Sequence, residues 1–391
     1  MTPSSTDVSA LGANNRAFAF DLYHAVASDH ANENLLFSPY SISSALAMTY
    51  EGARTQTASE LKATLHFELE RPALHEAFNA TDLQLSSRGM GQAGADGTPF
   101  RLNVNNSIWA QRGYPVVPAY LDVLAVNYGA AVYLADFRSQ PEAARTSINA
   151  WVSDKTEKLI PELLPVRSIN SLTRFVLTNA VYFNASWQTK FDEKLTTAQP
   201  FTKLDGSQVS VQMMHATRLI PYAEGAGYRA IGLPYASDEL SFIAVLPDAG
   251  AFQTVEATLT AAWFDELRAQ LQGTSVYLDV GLPKLDYKTA ASLRTTLSGL
   301  GMPTAFEGAA DFSGMTSGSV SIDDVIHQAV LKVFEGGTIA AAATAVIFAD
   351  KSASGTDNVV TFDRPFILAI VDEPTGAVLF LGRVLDPTPA P

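Results

Sequence analysis

Residues 335–352 read E-G-G-T-I-A-A-A-A-T-A-V-I-F-A-D-K-S, between two strand-like runs at residues 329–334 and 359–362. Two glycines open this stretch, four consecutive alanines form its middle, and β-branched residues follow. Alanine favours helix, whereas a Gly-Gly start and a β-branched finish favour extended chain. Residues this small cannot fill a core, but they can enter between two strands without steric cost. The stretch therefore predicts a loop that can become a strand.

The composition indicates a globular chain with a sizeable core. The chain has 391 residues, of which 47% are hydrophobic and 10% aromatic, and its net charge is −14. This acidic balance argues against nucleic acid and membrane surfaces as partners. The absence of cysteine excludes disulfides, thiol nucleophiles and zinc-thiolate sites. We expect one domain over residues 1–391, acting as a monomer, with residues 1–13 and 387–391 as disordered tails.

The N-terminal residues do not show the charged and then apolar pattern of a signal peptide, and no apolar run reaches about 18 residues. We therefore expect an extracellular or periplasmic protein if a leader has been trimmed, and a cytoplasmic one if this chain is the complete product.

Hydrophobic periodicity divides the chain into a helical first half and a strand-rich second half. Helices are predicted up to about residue 28 and at 39–52, 57–66, 72–87, 118–128, 145–164, 252–260, 263–271 and 289–300. Strands are predicted at 100–110, 175–183, 208–214, 217–222, 228–233, 240–246, 275–283, 366–371 and 378–384. No repeat or linker divides these elements, which indicates a mixed α+β fold.

One nucleophile motif occurs, an S-x-x-K formed by Ser59 and Lys62. In β-lactamases and penicillin-binding proteins the lysine helps to deprotonate the serine, but that family also needs K-T-G. The nearest approaches are K-T-E at 155–157 and K-T-A at 288–290. A serine hydrolase is therefore a remote alternative. The histidines lack metal-ligand spacing and no phosphate-binding loop is present, so neither a metal nor a cofactor is expected.

Two polar residues interrupt apolar strands, Asn179 and His327. Buried without partners, each would cost about 1–3 kcal/mol per unmet group. The hydroxyls of Ser38 and Ser41 could supply those partners. Because no acid or oxyanion hole accompanies this set, we interpret it as a satisfied buried cluster and not as a catalytic one.

Five segments, in this order, resemble the serpin family over about residues 14–387. They are N-L-L-F-S-P-Y-S-I-S-S-A-L-A-M (34–48), F-V-L-T-N-A-V-Y-F-N-A-S-W (175–187), A-D-F-S-G-M (310–315), H-Q-A-V-L-K-V-F-E-G-G-T-I-A-A-A-A-T-A (327–345), and D-R-P-F-I-L-A-I-V with L-F-L-G-R-V (363–384). The resemblance implies an α+β serpin fold with about nine helices and three β-sheets, metastable, with an exposed reactive-centre loop.

The resemblance also implies a suicide inhibitor of serine proteases and not an enzyme. The target protease attacks the loop and forms an acyl-enzyme. Residues 337–350 then insert as a central strand of the main sheet before the ester is hydrolysed, and the protease is trapped.

Specific residues carry these implied roles. The hinge comprises Glu335, Gly336, Gly337, Thr338, Ala340, Ala341, Ala342, Ala343 and Thr344. The shutter, a cluster beneath the point where the strands part, comprises Ser38, Ser41, Asn179 and His327. Trp187 belongs to the breach, where insertion starts.

The cleaved bond follows from the family's spacing of seventeen residues from the hinge glutamate, which leads from Glu335 to Lys351 and Ser352. A lysine there implies a trypsin-like target with an acidic specificity pocket. Phe348 would instead suit chymotrypsin-like or subtilisin-like enzymes. Ala349 and Asp350 complete the specificity residues, and Asp350 would exclude many trypsin-like targets.

A non-inhibitory serpin, acting as a carrier or chaperone, is the main alternative. Such members typically have bulky, charged or proline residues in the hinge, and residues 337–345 contain none except Ile339. Heparin activation is not expected, because the helix predicted at 72–87 has no basic cluster and only Arg71 and Arg88 flank it.

Overall fold

A computed structural model describes residues 4–129, 132–339 and 358–388. Nine α-helices lie within these residues: α1 Ser5–Asp29, α2 Pro39–Gly52, α3 Thr55–Thr64, α4 Arg71–Ser87, α5 Pro118–Tyr128, α6 Pro141–Lys155, α7 Phe252–Glu256, α8 Ala261–Gly273 and α9 Arg294–Gly299. Short 3-10 helices occur at Glu193–Leu195 and Pro303–Phe306. None of the helices in the described ranges is long and apolar enough to cross a membrane.

The described strands are β1 Leu35–Phe37, β2 Arg101–Gln111, β3 Val132–Ala135, β4 Phe175–Ser186, β5 Thr197–Thr202, β6 Gln208–Gly225, β7 Tyr228–Pro234, β8 Leu240–Pro247, β9 Ser275–Pro283, β10 Leu285–Ser292, β11 Ile326–Phe334, β12 Gly337–Ile339, β13 Val359–Thr361, β14 Phe366–Asp372 and β15 Val378–Val384. The main sheet has the order β10-β11-β12-β4-β2-β3.

The other strands form two sheets that share β6. The end of β6 pairs with β7, in the order β1-β15-β14-β8-β7-β6, whereas its earlier part pairs with β5 and β9, and β9 pairs with β13. The two strands predicted at 208–214 and 217–222 are thus one strand of 18 residues. Because one strand serves both sheets, the two sheets are joined covalently and by hydrogen bonds.

Helix α2 lies between the main sheet and β15, in contact with β2 and β4. Nearly all its residues are buried, including Ser41, Ser44, Ala45 and Ala47. Small side chains let sheet strands approach the helix closely. This packing brings Ser41 to the centre of the main sheet.

The N-terminal prediction is wrong for residues 5–13, which belong to α1 and not to a disordered tail. Ser4 accepts a hydrogen bond from the backbone N–H of Asp7, whose carboxylate accepts one from the N–H of Ser4. This capping box satisfies two orphan donors at the start of the helix. Val8 and Leu11 are buried, so packing holds the first turns as well.

The helix predicted at 289–300 is also wrong in its first part. Residues 289–292 continue β10, which pairs antiparallel with β11 over its whole length, and α9 begins only at Arg294. The segment T-A-A-S has no strong strand propensity, so pairing with β11 decides its structure. Helix α6 starts at Pro141 and ends at Lys155, short of the predicted residue 164, and Glu157 and Lys158 have positive φ.

Candidate functional site

Strand β12 lies between the two central strands of the main sheet and runs antiparallel to both. Thr338 is opposite Val333 of β11 and Ala185 of β4. Farther along, β4 and β11 pair directly and in parallel at one position, where His327 is opposite Asn179. The central strands are therefore separated at one end by β12 and joined at the shutter.

Two glycines allow the chain to reverse between β11 and β12. Gly337 has φ +152°, and a Cβ atom there would lie 2.1 Å from the carbonyl oxygen of Ala185. A Cβ atom on Gly336 would lie 2.9 Å from the carbonyl oxygen of Ala95. Contacts this short force backbone to move, so glycine is required for this turn.

Thr338 points into the core from β12 and is only 2% exposed. Its hydroxyl lies 2.7 Å from the hydroxyl of Tyr235, which follows β7. Burial raises the pKa of Tyr235, so its hydroxyl stays protonated and the pair is a neutral hydrogen bond. Sequence reasoning did not identify Tyr235, because it precedes Thr338 by about a hundred residues and follows a strand of another sheet.

Trp187 contacts the turn directly. Its backbone N–H donates to the carbonyl of Gly336 at 3.1 Å, and its indole N–H donates to the carbonyl of Phe334 at 2.9 Å. Its ring stacks on Tyr235 with 4.8 Å between centroids. Trp187 thus holds the turn that leads into β12, and its assignment to the breach stays a prediction.

Glu335, at the end of β11, is 4% exposed and accepts two strong hydrogen bonds. The ammonium of Lys284 lies 2.8 Å from its carboxylate, and the hydroxyl of Thr196 lies 2.6 Å from the same oxygen. Burial opposes ionisation, but the bonds from Lys284 and Thr196 outweigh it and lower the pKa of Glu335. Neither partner had a distinguishing signal in the sequence, since Lys284 and Thr196 are ordinary polar residues next to strands.

The four predicted shutter residues lie together. The side-chain amide of Asn179 donates to the carbonyl of Ser41 at 2.6 Å and also contacts the Ser41 hydroxyl. Nδ1 of His327 lies 3.1 Å from the amide oxygen of Asn179, and Nε2 accepts from the backbone N–H of Ser38 at 3.1 Å. The expectation that Ser38 supplies a hydroxyl is wrong, because this residue uses its backbone N–H.

These contacts define the protonation state of His327. Because Nε2 accepts a hydrogen bond, the ring proton is on Nδ1 and is donated to Asn179. Burial lowers the pKa of His327 to about 4, which keeps the ring neutral near pH 7. Asn106 of β2 also accepts from Asn179, at 2.7 Å, and was missed by sequence reasoning. The sequence pattern that could have identified Asn106 is the one that identified Asn179: each is a polar residue within a run predicted to be a strand.

Many of the predicted hinge and specificity residues lie outside the described residues. They are Ala340, Ala341, Ala342, Ala343, Thr344, Phe348, Ala349, Asp350, Lys351 and Ser352. Their roles stay predictions.

The S-x-x-K motif does not form a catalytic pair. The hydroxyl of Ser59 donates to the carbonyl of Thr55 at 3.2 Å, and the ammonium of Lys62 lies 3.2 Å from the carboxylate of Glu70. In the described part of the chain no three His, Asp or Glu side chains are grouped to hold a metal ion. The hydrolase alternative therefore lacks the contact that its mechanism requires.

Comparisons with known proteins identify the family to which this fold belongs. A family model for serpins, described as serine protease inhibitors, matches residues 13–387. A serpin-like protein of Thermococcus kodakarensis, itself uncharacterized, is 38% identical over 374 residues, 95% of this chain and 84% of the relative. The leukocyte elastase inhibitor of Bos taurus is 34% identical over 388 residues, 96% of this chain and 99% of the relative.

Among solved structures, human thyroxine-binding globulin complexed with thyroxine is similar, with a TM-score of 0.86 and 26% identity. The match covers 98% of this chain and 100% of that one. The chain belongs to the serpin family and has the α+β serpin fold. The family, described as serine protease inhibitors, includes the leukocyte elastase inhibitor and also a globulin that binds thyroxine.

Proposed function

We propose that this chain inhibits a serine protease by the suicide mechanism, with cleavage between Lys351 and Ser352 and insertion of residues 337–350 into the main sheet. The observation that carries the proposal is the position of β12. Its residues are the first of the proposed insertion segment, and they lie between β11 and β4 in the antiparallel direction that an inserted strand requires.

The energetics of insertion depend on how well side chains fit. A central strand makes roughly two backbone hydrogen bonds per residue, each worth about 1 kcal/mol net. Ordering each residue costs roughly 1–2 kcal/mol, so these terms nearly cancel. Thr338 already faces the core. Strand alternation would place Ala340, Ala342 and Thr344 on the same face, where small side chains meet little resistance.

The shutter favours the same proposal. Direct pairing between β4 and β11 is confined to the position of Asn179 and His327. Separating the strands there exchanges a few hydrogen bonds for those of the incoming strand. A boundary with so little direct pairing is suited to opening.

The target class rests on the residue before the cleaved bond. A lysine enters the acidic specificity pocket of trypsin-like proteases. Phe348, three residues earlier, makes a chymotrypsin-like or subtilisin-like target the second choice. We further propose that the chain works as one domain, because its main hydrophobic cluster joins residues from Leu11 to Leu385. We also propose that it acts as a monomer.

The test is to mix the protein with trypsin and separate the products on a denaturing gel. We expect a band near the summed masses and a released C-terminal peptide that begins at Ser352. Trypsin whose serine has been blocked beforehand is the control and should give no such band. Cleavage at the loop without any covalent complex would contradict the proposal.

A carrier is the second candidate, favoured by the structural similarity to the thyroxine complex. A carrier would be cut by trypsin at the loop and released as two fragments. The same gel therefore distinguishes the two functions.

A further inference from the structure

The segment that joins α4 to β2, residues 89–100, folds back on itself as a short hairpin, which we call the strap. Its tip is closed by a hydrogen bond from the backbone N–H of Gly94 to the carbonyl of Thr98 at 2.6 Å. Most residues of the strap are exposed, but Gly94 and Ala95 at the tip are buried. Because a hairpin this short has no core of its own, the contacts that bury its tip hold it in place.

The tip of the strap is bound to the end of β4. Asn184 is fully buried, accepts a hydrogen bond from the backbone N–H of Ala95 at 2.8 Å, and donates one to the carboxylate of Asp96 at 2.8 Å. The hydroxyl of Ser186 donates to the carbonyl of Gly94 at 2.8 Å. Since alternate residues of a strand share a face, Asn184 and Ser186 bind the tip on one face of the main sheet.

The same tip lies against the turn that leads into β12. A Cβ atom on Gly337 would lie 2.7 Å from the Cβ of Ala95, and one on Gly336 would lie 2.9 Å from the carbonyl oxygen of Ala95. Ala95 and Tyr182 of β4 form a small apolar cluster, against which Phe334 of β11 packs. One short hairpin therefore joins β4, the end of β11 and the turn between β11 and β12.

The base of the strap is fixed to the rest of the protein. Arg88, the residue before it, is buried and donates to the carboxylates of Asp372 at 2.7 Å and Glu239 at 2.9 Å. At the other end of the strap the ring of Phe100 lies over Gly89, where an added Cβ would be 2.3 Å from the ring. Breaking a buried ion pair is costly, so the base stays in place and the tip can restrain the turn.

From these contacts we propose that the strap keeps residues 337–339 in the gap between β4 and β11 before a protease binds. Ordering these residues costs conformational entropy, which the contacts of the tip with β4 and the turn help to offset. When the tip is released, β12 leaves the gap. The consequence for inhibition rests on the proposed function: with β12 outside the sheet, insertion starts later and more of the protein is cleaved as a substrate.

A thiol at position 338 measures the position of β12 without any protease. The chain has no cysteine and Thr338 is 2% exposed, so Thr338→Cys introduces a single thiol that 5,5′-dithiobis(2-nitrobenzoic acid) reaches when β12 leaves the gap. Asn184→Leu removes the side-chain bonds to the tip, and Gly94→Ala places a Cβ 2.6 Å from the Asn184 side chain. We expect each variant to raise the rate of the thiol reaction at least about tenfold.

Two controls separate release of β12 from a general loss of stability. Gln92→Ala changes an exposed residue of the strap and should leave the rate unchanged. Ala369→Cys, used in place of Thr338→Cys, puts the thiol in β14 of the other sheet, where Ala369 is 2% exposed, and its rate should not respond to the strap variants. An unchanged rate at position 338, or equal increases at both positions, would overturn the proposal. If one strap variant does not fold, the other decides.

The trypsin gel tests the consequence for inhibition separately. We expect Asn184→Leu and Gly94→Ala to give at least about threefold less covalent complex per cleaved molecule than Gln92→Ala gives. If the parent protein forms no complex, the proposed function fails, whereas the thiol rates still decide whether the strap holds β12. Faster thiol reaction with an unchanged ratio of complex to cleaved protein would overturn the link between the strap and inhibition.

Discussion

The two ends of the boundary between β4 and β11 are held in different ways. At one end β12 already separates the strands, and it is held by backbone pairing, the neutral bond between Thr338 and Tyr235, and the packing of Trp187. At the other end the strands touch, and a cluster of buried side chains around Asn179 and His327 holds them together.

In the proposed insertion, this difference separates the first step from the next. The first step would need no new opening, because residues 337–339 already lie between β11 and β4. The next step would have to break the hydrogen bonds of the shutter, which depend on a neutral His327. The open end should therefore respond to steric changes, and the closed end to protonation.

The largest effect is expected for Thr338→Arg at the open end. A guanidinium placed where Thr338 is buried would have to leave the core, since burying an unpaired charge is very costly. We expect this variant to form no detectable covalent complex with trypsin and to be cleaved as a substrate. Thr338→Ser, which keeps a hydroxyl toward Tyr235, should still trap protease. Normal trapping by Thr338→Arg would show that residue 338 need not insert.

The shutter should make stability depend on pH. Burial lowers the pKa of His327 to about 4 from an unfolded value near 6.5. The unfolded state then binds more protons between these values, so this histidine's contribution is complete above pH 6.5 and is lost as the pH falls toward 4. The loss amounts to about 3 kcal/mol in the free energy of unfolding.

Asp82 has the opposite effect on the pH dependence of stability. Burial raises its pKa to about 7, so its contribution to the free energy of unfolding becomes more favourable as the pH falls. The contribution of His327 is therefore measured as a difference, by urea unfolding of the parent protein and of His327→Gln from pH 7.5 to 4.5. The parent should lose stability relative to the variant as the pH falls. Parallel curves would mean that the histidine is not held neutral by its surroundings.

Gly337→Ala tests the turn that places β12 in the gap. Strain at φ +152° and the contact with the carbonyl of Ala185 should together reduce the free energy of unfolding by about 2 kcal/mol. The matched control is Gly91→Ala, at φ +81° with nothing within 4 Å of the added Cβ, which carries conformational strain alone. If the two variants lost the same free energy of unfolding, the contact with the carbonyl of Ala185 would contribute nothing to the requirement for glycine.

The smallest effect is expected for Tyr235→Phe, which removes one neutral hydrogen bond to Thr338. The free energy of unfolding should fall by about 1 kcal/mol, and trapping should persist. Urea unfolding and the trypsin gel measure the two quantities. If instead this variant lost trapping, the open end would depend on a specific bond and not on size alone.

Structural features that depend on residues near one another in the sequence were predicted best. The predicted ranges of α2 and α5 match the structure, and Pro39 opens α2 as a local helix signal indicates. The inward position of Thr338 agrees with strand alternation. Local signals failed at residues 289–292, where pairing with β11 outweighs a weak intrinsic preference. They also failed at α1, whose first turns are held by capping and by packing.

For the candidate site, composition singled out the polar residues inside apolar strands and the run of small residues after Glu335. It could not identify Lys284, Thr196 or Tyr235 as partners, because a hydrogen bond between residues far apart in the sequence leaves no local pattern. Nor could it tell that Ser38 uses its backbone N–H.

The sequence by itself determined a mixed α+β fold and a segment small enough to enter a sheet, because side-chain size, alternation and helix signals are local properties. Its resemblance to the serpin family, carried by five segments, added the class of fold. Only the tertiary structure decided that β12 already lies between β11 and β4, and that His327 closes the boundary as a neutral ring. Those facts depend on which strands meet and on how deeply each group is buried, and both arise only when the chain has folded.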